Sequence, residues 1–237
     1  MQSLTTNDVI QAWTTQDDNL PEEMKKLNEN VDLQIGLLQL LANGRPVSAA
    51  EAVAQTGFPT DEIRTLFEKL AEHGAEFDTE GRLTGIALSL NPTPHRFRVN
   101  GQQLYAWCAL DTIFLPGFLG ETAVVESTDP VNNAPIRLTI TPNGVTEYSP
   151  ETAVLSITVP GVSCRTDESC GPDTGPQSEA CSQMHFFSTH ETAVAWLKNR
   201  PGIAILTVEE AWQLAQANWL EKKRQMETNG TAVQCAC

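Results

Sequence analysis

The longest nearly continuous apolar stretch of the chain, residues 103–120, carries the thiol of Cys108 and the carboxyl of Asp111. If this stretch is a helix, residues three apart share one face, with Cβ atoms roughly 5–6 Å apart. Burial raises the pKa of both groups, and each opposes ionisation of the other, so the pair can hold and transfer a proton. The alternative is that Cys108 is a buried small hydrophobic residue and that Asp111 caps a helix or forms a salt bridge.

The other cysteines limit the kind of metal site that the chain can build. It has no CxxC or CxxH motif, so a zinc ribbon is not expected, and the common nucleotide-binding, hydrolase and zinc-protease motifs are absent. Only Cys181 lies, like Cys108, in or beside a predicted ordered element. Two thiolates and a carboxylate suit a soft, two-coordinate metal ion better than zinc. The four other cysteines are Cys164, Cys170, Cys235 and Cys237.

Composition and charge exclude one class of partner. The chain has 237 residues, enough for one large domain or two modest ones, and 41% of them are hydrophobic, enough to form a core. Its formal charge of −15 argues against nucleic acid, because a phosphate-binding face needs clustered Lys and Arg.

Neither export nor membrane insertion is expected. Residues 1–20 lack the basic and apolar regions of a secretory signal. Residues 103–120 are too short for a membrane span and are interrupted by Asp111 and Pro116. We therefore expect a cytoplasmic protein whose cysteines stay reduced and available for metal binding or catalysis.

The pattern of predicted helices and strands indicates an α+β fold. A helical unit at residues 33–92 precedes the part of the chain that carries Cys108, Asp111 and Cys181. Three helices followed by a hairpin are typical of a winged-helix unit. The predicted elements are a helix from about Asp32 to Ala42, a short helix opened by a capping box of Ser48 and Glu51, a helix at 61–73 that Thr60 caps, and a hairpin with its turn at 80–81.

A winged-helix unit makes a transcriptional regulator one alternative function. The helix at 61–73, however, carries four acidic residues against one arginine and one lysine. A recognition helix that approaches DNA phosphates should not be net acidic. The unit is therefore expected to be structural.

Residues 93–228 are predicted to form the main α+β core, a mixed or antiparallel sheet with covering helices. The end segments, 1–32 and 229–237, are predicted to be weakly ordered and disordered, respectively. A long loop at 160–180, rich in Gly, Pro and Ser, leads to Cys181. The predicted core elements are a central helix at 104–115, strands within 121–159, a short strand at 184–187, a helix opened by Ser188 and Glu191, a strand at 202–208, and a last helix at 208–227 capped by Thr207 and Glu210.

Several motifs of the chain resemble those of one enzyme family. The run YAWCALD around Cys108, the following FLPGFLG, and the CxxxHFF pattern from Cys181 to Phe187 resemble the alkylmercury lyases, or organomercurial lyases, of bacterial mercury resistance. The resemblance covers about residues 33–225 and includes LANGRPVS, APIRLTITP and GIAILTVEEA. AWCALD followed by CxxxHFF is specific to that family.

The resemblance implies protonolysis of carbon–mercury bonds, in which R–Hg⁺ becomes RH and Hg²⁺. Matched residue by residue, the catalytic residues of the family are Cys108, Asp111 and Cys181 here. One thiolate attacks mercury and passes its proton to the carboxylate, the second thiolate adds, and Asp111 then protonates the leaving carbon. Mercury is thus substrate and product, bound by the two cysteines with Asp111 as a further candidate ligand, and no cofactor is implied.

The implied partners are organomercurial small molecules, low-molecular-weight thiols needed for turnover, and a mercuric reductase that receives Hg²⁺. The apolar residues around 104–119 would accept the organic group and exclude water. Two rival functions use the same thiols. One is a non-catalytic protein that binds mercury or another soft metal, and the other is a thiol–disulfide oxidoreductase, which the absence of a CxxC motif disfavours.

The sequence departs from the family pattern at Asp129, where some members carry a further cysteine, and in the length of the loop at 160–180. The four other cysteines are either incidental exposed thiols or mobile sites that relay Hg²⁺ away from the buried pair. His185 is expected to be a structural residue, and Trp107 is expected to pack in the core.

Overall fold

The computed structural model describes residues 5–14, 30–160, 180–198 and 200–233 of the chain. Within these ranges the chain forms seven α-helices, eleven strands and a 3₁₀ turn at Cys181–Gln183. The helices are α1 (Thr6–Thr14), α2 (Val31–Leu41), α3 (Ala49–Thr56), α4 (Thr60–Glu72), α5 (Ala109–Leu119), α6 (His190–Leu197) and α7 (Val208–Val233). The strands are β1 (Glu76–Phe77), β2 (Leu83–Ile86), β3 (Leu88–Ser89), β4 (His95–Val99), β5 (Gln102–Ala106), β6 (Ala123–Thr128), β7 (Pro135–Thr141), β8 (Gly144–Ser149), β9 (Val154–Thr158), β10 (Phe186–Phe187) and β11 (Ile203–Thr207).

The strands form two antiparallel sheets. Eight strands make one sheet in the order β1-β2-β3-β5-β4-β6-β7-β8, and three make a smaller sheet in the order β10-β9-β11. Helices cover these sheets, which confirms the predicted α+β fold class. The winged-helix likeness of residues 33–92 and the division of the chain into four segments stay predictions.

The helices and the hairpin predicted within residues 33–92 are present, but the predicted cap of α4 is wrong. Thr60 is the first residue of that helix, Pro59 is its N-cap residue, and no side chain caps this end. Ser48 Oγ accepts the Glu51 N–H at 3.2 Å, and the Glu51 carboxylate accepts the Ser48 N–H at 3.0 Å, so the predicted capping box opens α3. The hairpin β1–β2 continues into the main sheet, because β3 pairs with both β2 and β5, with Leu88 opposite Ala106. The helical unit therefore contributes three strands to the sheet that carries the core.

The prediction of a central helix at 104–115 is wrong at its start. Residues Gln102–Ala106 form β5, and α5 runs from Ala109 to Leu119. The continuous apolar run has no periodicity that separates a buried strand from a buried helix. The Asn-Gly turn at 100–101 returns the chain along β4, and this pairing fixes the strand. Cys108 lies between the two elements with extended backbone angles, φ −143° and ψ 174°.

Helix α5 occupies the centre of the molecule. It contacts β4, β5 and β7 of the large sheet, β9 of the small sheet, and the helices α2 and α7. Seven of its eleven residues are buried. It ends at Gly120, whose φ of 72° lies in the left-handed region that glycine adopts without a Cβ clash. Helix α5 is therefore held by several elements at once.

The ends of the described chain are more ordered than the sequence predicts. Helix α1 lies inside the segment predicted to be weakly ordered, with Val9 fully buried and Trp13 Nε1 donating to Thr158 O at 3.0 Å. The sequence shows only a weak helical pattern in this segment. Tertiary packing, more than the helix propensity of its residues, stabilises a short helix such as α1. Helix α7 continues to Val233, past its predicted end, and its predicted capping box is present, since the Thr207 N–H donates to Glu210 Oε2 at 2.8 Å.

The cap of α6 differs from the prediction. Its N-cap residue is Thr189, whose Oγ1 accepts the N–H of Thr192 at 3.2 Å. Ser188 instead donates both its N–H and its Oγ–H to Asp129 Oδ2, each at 2.8 Å. Ser188 is therefore bonded to the buried carboxylate of Asp129, and Thr189, the next residue with a hydroxyl group, caps the helix instead.

Candidate active site

Cys108 and Asp111 meet at the N-terminus of α5 through the geometry of a helix cap. Cys108 is the N-cap residue and Asp111 is the third residue of the helix, so each side chain can reach the backbone of the other. The Cys108 N–H donates to Asp111 Oδ2 at 3.0 Å, and the Asp111 N–H points at the Cys108 sulfur. The prediction that Cys108 and Asp111 share a helix face is wrong, because Cys108 lies before the first residue of the helix. The predicted closeness of the two side chains is confirmed.

Cys181 reaches the same point from a distant part of the chain. It opens the 3₁₀ turn Cys181–Gln183, and the strand predicted at 184–187 is reduced to its last two residues, β10. The Ala109 N–H donates to Met184 O at 3.1 Å and ties this segment to the first residue of α5. The segment that carries the second thiol is therefore bonded directly to the helix that carries the carboxyl.

The structure brings together all three predicted site residues, Cys108, Asp111 and Cys181, which we call the triad. One ligand atom of each lies within 4.8 Å of those of the other two. Among the residues that the structure describes, this is the only group of three or more His, Cys, Asp and Glu side chains that could hold a metal ion. The triad does not include His185.

The surroundings of the triad oppose charge on Cys108 and Asp111. Cys108 has only 1% of its surface exposed, whereas Asp111 and Cys181 are half-buried. Burial raises the pKa of the Cys108 thiol well above its usual range, and the nearby Cys181 and Asp111 raise it further. Loss of solvent raises the pKa of Asp111 to about 6, although hydrogen bonds from Cys108 act in the opposite direction. At neutral pH a neutral thiol therefore lies beside a carboxylate that is easily protonated.

This arrangement is suited to binding a soft metal ion and moving one proton at the same point. Two sulfur ligands favour soft ions, whereas oxygen-rich sites favour hard ones. A metal ion that binds Cys108 displaces the thiol proton, and the Asp111 carboxylate lies close enough to receive it. The same carboxyl group can then act as an acid toward an atom bound to the metal.

Comparison with known proteins places the chain in one family. The family described as MerB, alkylmercury lyase, matches residues 88–220, a range that includes the triad. The alkylmercury lyase of Streptomyces lividans is 41% identical over 76% of this chain and 78% of its own length. That of Staphylococcus epidermidis is 36% identical over 90% of this chain and 97% of its own. The chain belongs to the alkylmercury lyase family.

The fold of this alkylmercury lyase family member is shared with a solved structure. The crystal structure of the mercury-bound form of MerB2 matches it with a TM-score of 0.68, covering 92% of this chain and 99% of that chain. The two sequences are 21% identical, so the likeness shows a common fold. The resemblance drawn from AWCALD and CxxxHFF is confirmed, and so is the expectation that the chain is an enzyme of the alkylmercury lyase family.

The buried carboxylate of Asp129 accepts hydrogen bonds from three other residues. Its Oδ2 accepts from the N–H and Oγ–H of Ser188 and from Thr192 Oγ1, each at 2.8 Å, and its Oδ1 accepts the Val131 N–H at 2.8 Å. Burial raises the pKa of this carboxyl, but the hydrogen bonds outweigh it and the net pKa is lowered. Asp129 thus joins the turn after β6 to the start of α6 as a carboxylate.

His185 makes the contacts of a structural residue, as expected. Its Nε2 lies 2.9 Å from Ser182 O, and its ring packs against Trp196 with centroids 5.2 Å apart. Loss of solvent lowers the pKa of this histidine. The imidazole ring of His185 is therefore neutral, and its contact with Ser182 O stabilises the turn that follows Cys181.

Sequence reasoning missed His95, a buried histidine in the same region. It is 2% exposed, its Nδ1 lies 2.9 Å from Ser127 Oγ, and its ring centroid lies 6.4 Å from that of His185. Burial lowers the pKa of His95 to about 3, and the nearby His185 contributes in the same direction. The alternation of HRFRV, which buries His95, Phe97 and Val99, is the sequence signal that could have found it.

The remaining candidate residues can be placed briefly. Trp107 is 7% exposed and packs in the core, as expected, with its backbone N–H donating to Ala87 O at 2.9 Å. Cys164, Cys170, Cys235 and Cys237 lie outside the described residues. No helix in the described part of the chain is both long and apolar enough to cross a membrane.

Proposed function

We propose that this chain cleaves the carbon–mercury bond of organomercurials by protonolysis, with Cys108, Asp111 and Cys181 as its catalytic residues. The observation that most supports this is the placement of two thiols and one carboxyl within 4.8 Å of one another, in a member of the alkylmercury lyase family. Two sulfur atoms can hold mercury while the carboxyl supplies a proton to the carbon that mercury carries.

The first step depends on the resting protonation of Cys108 and Asp111. An organomercurial reaches the site as R–Hg–SR′, bound to a small thiol. The Cys108 sulfur bonds to mercury, its proton passes to the Asp111 carboxylate, and the thiolate R′S⁻ leaves. The Cys108 N–H also donates to Asp111 Oδ2 at 3.0 Å, which keeps the carboxylate next to Cys108 while the proton moves.

The second step completes the dithiolate and breaks the carbon–mercury bond. The Cys181 sulfur adds to mercury, and its proton goes to the departing R′S⁻. Electron density from both sulfurs moves onto the carbon, and the Asp111 carboxyl protonates that carbon as its bond to mercury breaks. The balance is R–Hg–SR′ plus two cysteine thiols giving RH, R′SH and mercury bound to two thiolates, with Asp111 returned to the carboxylate.

Release of mercury begins at Cys181 in this proposal. Cys181 is half-buried, whereas Cys108 has 1% of its surface exposed, so an incoming thiol reaches Cys181 first. Low-molecular-weight thiols, and then a mercuric reductase, would receive Hg²⁺ by ligand exchange, with no cofactor. A cytoplasmic location suits this requirement, because small thiols are kept reduced there. The four cysteines outside the described residues would serve as a relay.

The proposal is tested by measuring hydrocarbon release. Wild type and the variants Cys108→Ser, Cys181→Ser and Asp111→Asn are incubated with methylmercury and excess β-mercaptoethanol, and methane is measured in the headspace. Methane is expected from wild type and a loss of at least about 100-fold from each variant, the scale of a lost general acid or base. Glu121→Gln, an exposed carboxyl beyond the other end of α5, is the matched control and should retain wild-type release.

Two outcomes would contradict the proposal. Mercury bound by wild type without methane would make the chain a non-catalytic mercury-binding protein. Full methane release from Asp111→Asn would exclude Asp111 as the proton donor.

A further inference from the structure

Ser156, a buried serine on β9, bonds to the segment that carries Cys181. It has no exposed surface, and its Oγ–H donates to Gln183 O at 2.7 Å. The same Oγ accepts the His185 N–H at 3.0 Å, and the Ser156 N–H donates to His185 O at 3.0 Å. One residue thus binds the chain on both sides of Met184.

These bonds continue the β10–β9 pairing beyond its regular end. The ladder consists of Phe186 opposite Leu155 and Phe187 opposite Val154. Beyond Phe186 the backbone turns away toward Cys181, and the Ser156 hydroxyl takes the place of the backbone groups that a longer ladder would supply. Buried backbone N–H and C=O groups need such partners, because leaving them unpaired is costly.

Met184 lies between Ser156 and the catalytic helix. Its C=O accepts the Ala109 N–H at 3.1 Å, and its N–H donates to Cys181 O at 3.2 Å, which closes the 3₁₀ turn. A path of hydrogen bonds therefore runs from β9 through residues 183–185 to the turn that begins at Cys181. On its other side the same segment is bonded to the residue that follows Cys108.

We propose that Ser156 is a positioning residue for the second thiol. Its hydroxyl sets the distance between the sulfur atoms of Cys181 and Cys108, and so governs the step in which the second thiolate adds to mercury. This inference rests on the proposed function of the triad. A shift of about 1 Å at a reacting group can lower a rate about 100-fold, so a hydroxyl that touches no substrate can still control the reaction.

The test compares Ser156→Ala with Ser156→Thr, which keeps the hydroxyl, and with a matched control, Ser89→Ala. Ser89 is also fully buried, and its Oγ also donates once, to Glu76, and accepts once, from the Asn91 N–H at 2.9 Å. Ser89 makes no hydrogen bond to residues 181–185 in the described part of the chain. All variants are made in a chain whose four other cysteines are serine, so that only the triad binds mercury tightly.

Two quantities are measured, methane release from methylmercury and Hg²⁺ affinity in competition with dithiothreitol. Ser156→Ala is expected to lower kcat about 100-fold with little change in KM, because capture by Cys108 is intact while the second addition is impaired. Its Hg²⁺ affinity should fall by a similar factor. Ser156→Thr should keep kcat within about tenfold of its parent, and Ser89→Ala should keep both quantities.

The outcomes separate this inference from the proposed function. If the parent chain releases no methane but its Hg²⁺ affinity still depends on Ser156, the proposed function fails and the positioning role stands. If Ser156→Ala matches Ser89→Ala in both kcat and Hg²⁺ affinity, the positioning role is overturned.

Discussion

At the residue scale, two aspartates of this chain show how hydrogen-bond donors decide what a carboxyl can do. Asp111 has its pKa raised to about 6, because loss of solvent outweighs the hydrogen bonds from Cys108. Asp129 is fully buried, yet its pKa is lowered, because Ser188, Val131 and Thr192 direct N–H and O–H donors at it. Burial alone therefore does not raise the pKa of a carboxyl group enough for it to carry a proton. A buried carboxyl becomes a proton carrier where few donors stabilise its charge.

The raised pKa of Asp111 predicts a stability that depends on pH. Its folded-state pKa of about 6 lies above the usual value of 3.8, so between these values the folded protein binds more protons than the unfolded one. The contribution of Asp111 to stability is therefore fully present below about pH 4 and is lost as the pH rises to about 6. We expect Asp111→Asn to be more stable than wild type by about 1–3 kcal/mol at pH 7.5, and no more stable at pH 4.

Urea denaturation of both proteins at several pH values between 4 and 8 measures this difference. Glu121→Gln, an exposed carboxyl change, is the control and should show no such trend. A stability difference between wild type and Asp111→Asn that is constant across this range would contradict the raised pKa.

At the element scale, α5 carries the site at one end and a conformational constraint at the other. Its N-terminus is capped by Cys108 and Asp111, and its C-terminal residue is followed by Gly120 with φ 72°. Gly117 lies inside the helix and lines a cavity of about 160 Å³ between α5 and α7. These two glycines thus have opposite requirements, since one is in the helical conformation and the other in the left-handed region.

We therefore predict stability changes of opposite sign for alanine at these two glycines. A Cβ would meet no atom within 4 Å at either position, so conformation alone decides. Gly117→Ala should stabilise the protein by about 0.5–1 kcal/mol, because alanine favours the helix and restricts the unfolded chain. Gly120→Ala should destabilise it by about 1 kcal/mol, because a Cβ disfavours positive φ. Thermal and urea denaturation of the two variants side by side measure the effect, and changes of the same sign would exclude this explanation.

At the scale of the whole molecule, the two ends of the described chain pack together. Helix α1 lies against α7, and Thr6 Oγ1 donates to Glu210 Oε1 at 2.6 Å. Trp13 Nε1 donates to Thr158 O on β9 at 3.0 Å. Because Ser156 lies on the same strand, the N-terminal helix supports the strand that holds the Cys181 segment.

Removing the buried contact of α1 should destabilise the whole fold. Val9 has no exposed surface and belongs to the main hydrophobic core. Val9→Ala is expected to cost about 2 kcal/mol, through lost burial and the cavity that remains. The control is Val131→Ala, since Val131 is 46% exposed and its replacement should change stability by less than about 0.5 kcal/mol. Equal urea midpoints for Val9→Ala and wild type would show that α1 does not contribute to the cooperative unit.

Predictions from the sequence succeeded for two helix caps whose partners are near neighbours in the chain. The capping box of Ser48 and Glu51 and that of Thr207 and Glu210 join residues three apart, so their sequence patterns contain both partners. The boundary between β5 and α5 was misplaced, because an apolar run fits a buried strand and a buried helix equally well. The N-cap of α6 was misplaced by one residue, because the partner of Ser188 is the distant Asp129.

By itself, the sequence determined the α+β class, most of the local elements, and, through its motifs, the family and the three residues of the triad. Only the tertiary structure decided that Cys181 lies beside Cys108 and Asp111, with ligand atoms within 4.8 Å. It also decided that Ser156 holds the segment that carries Cys181. The physical reason is the range of the interactions. Caps, turns and periodicity act between near neighbours and leave a pattern in the sequence, whereas contacts between distant segments depend on how the sheets and α5 pack.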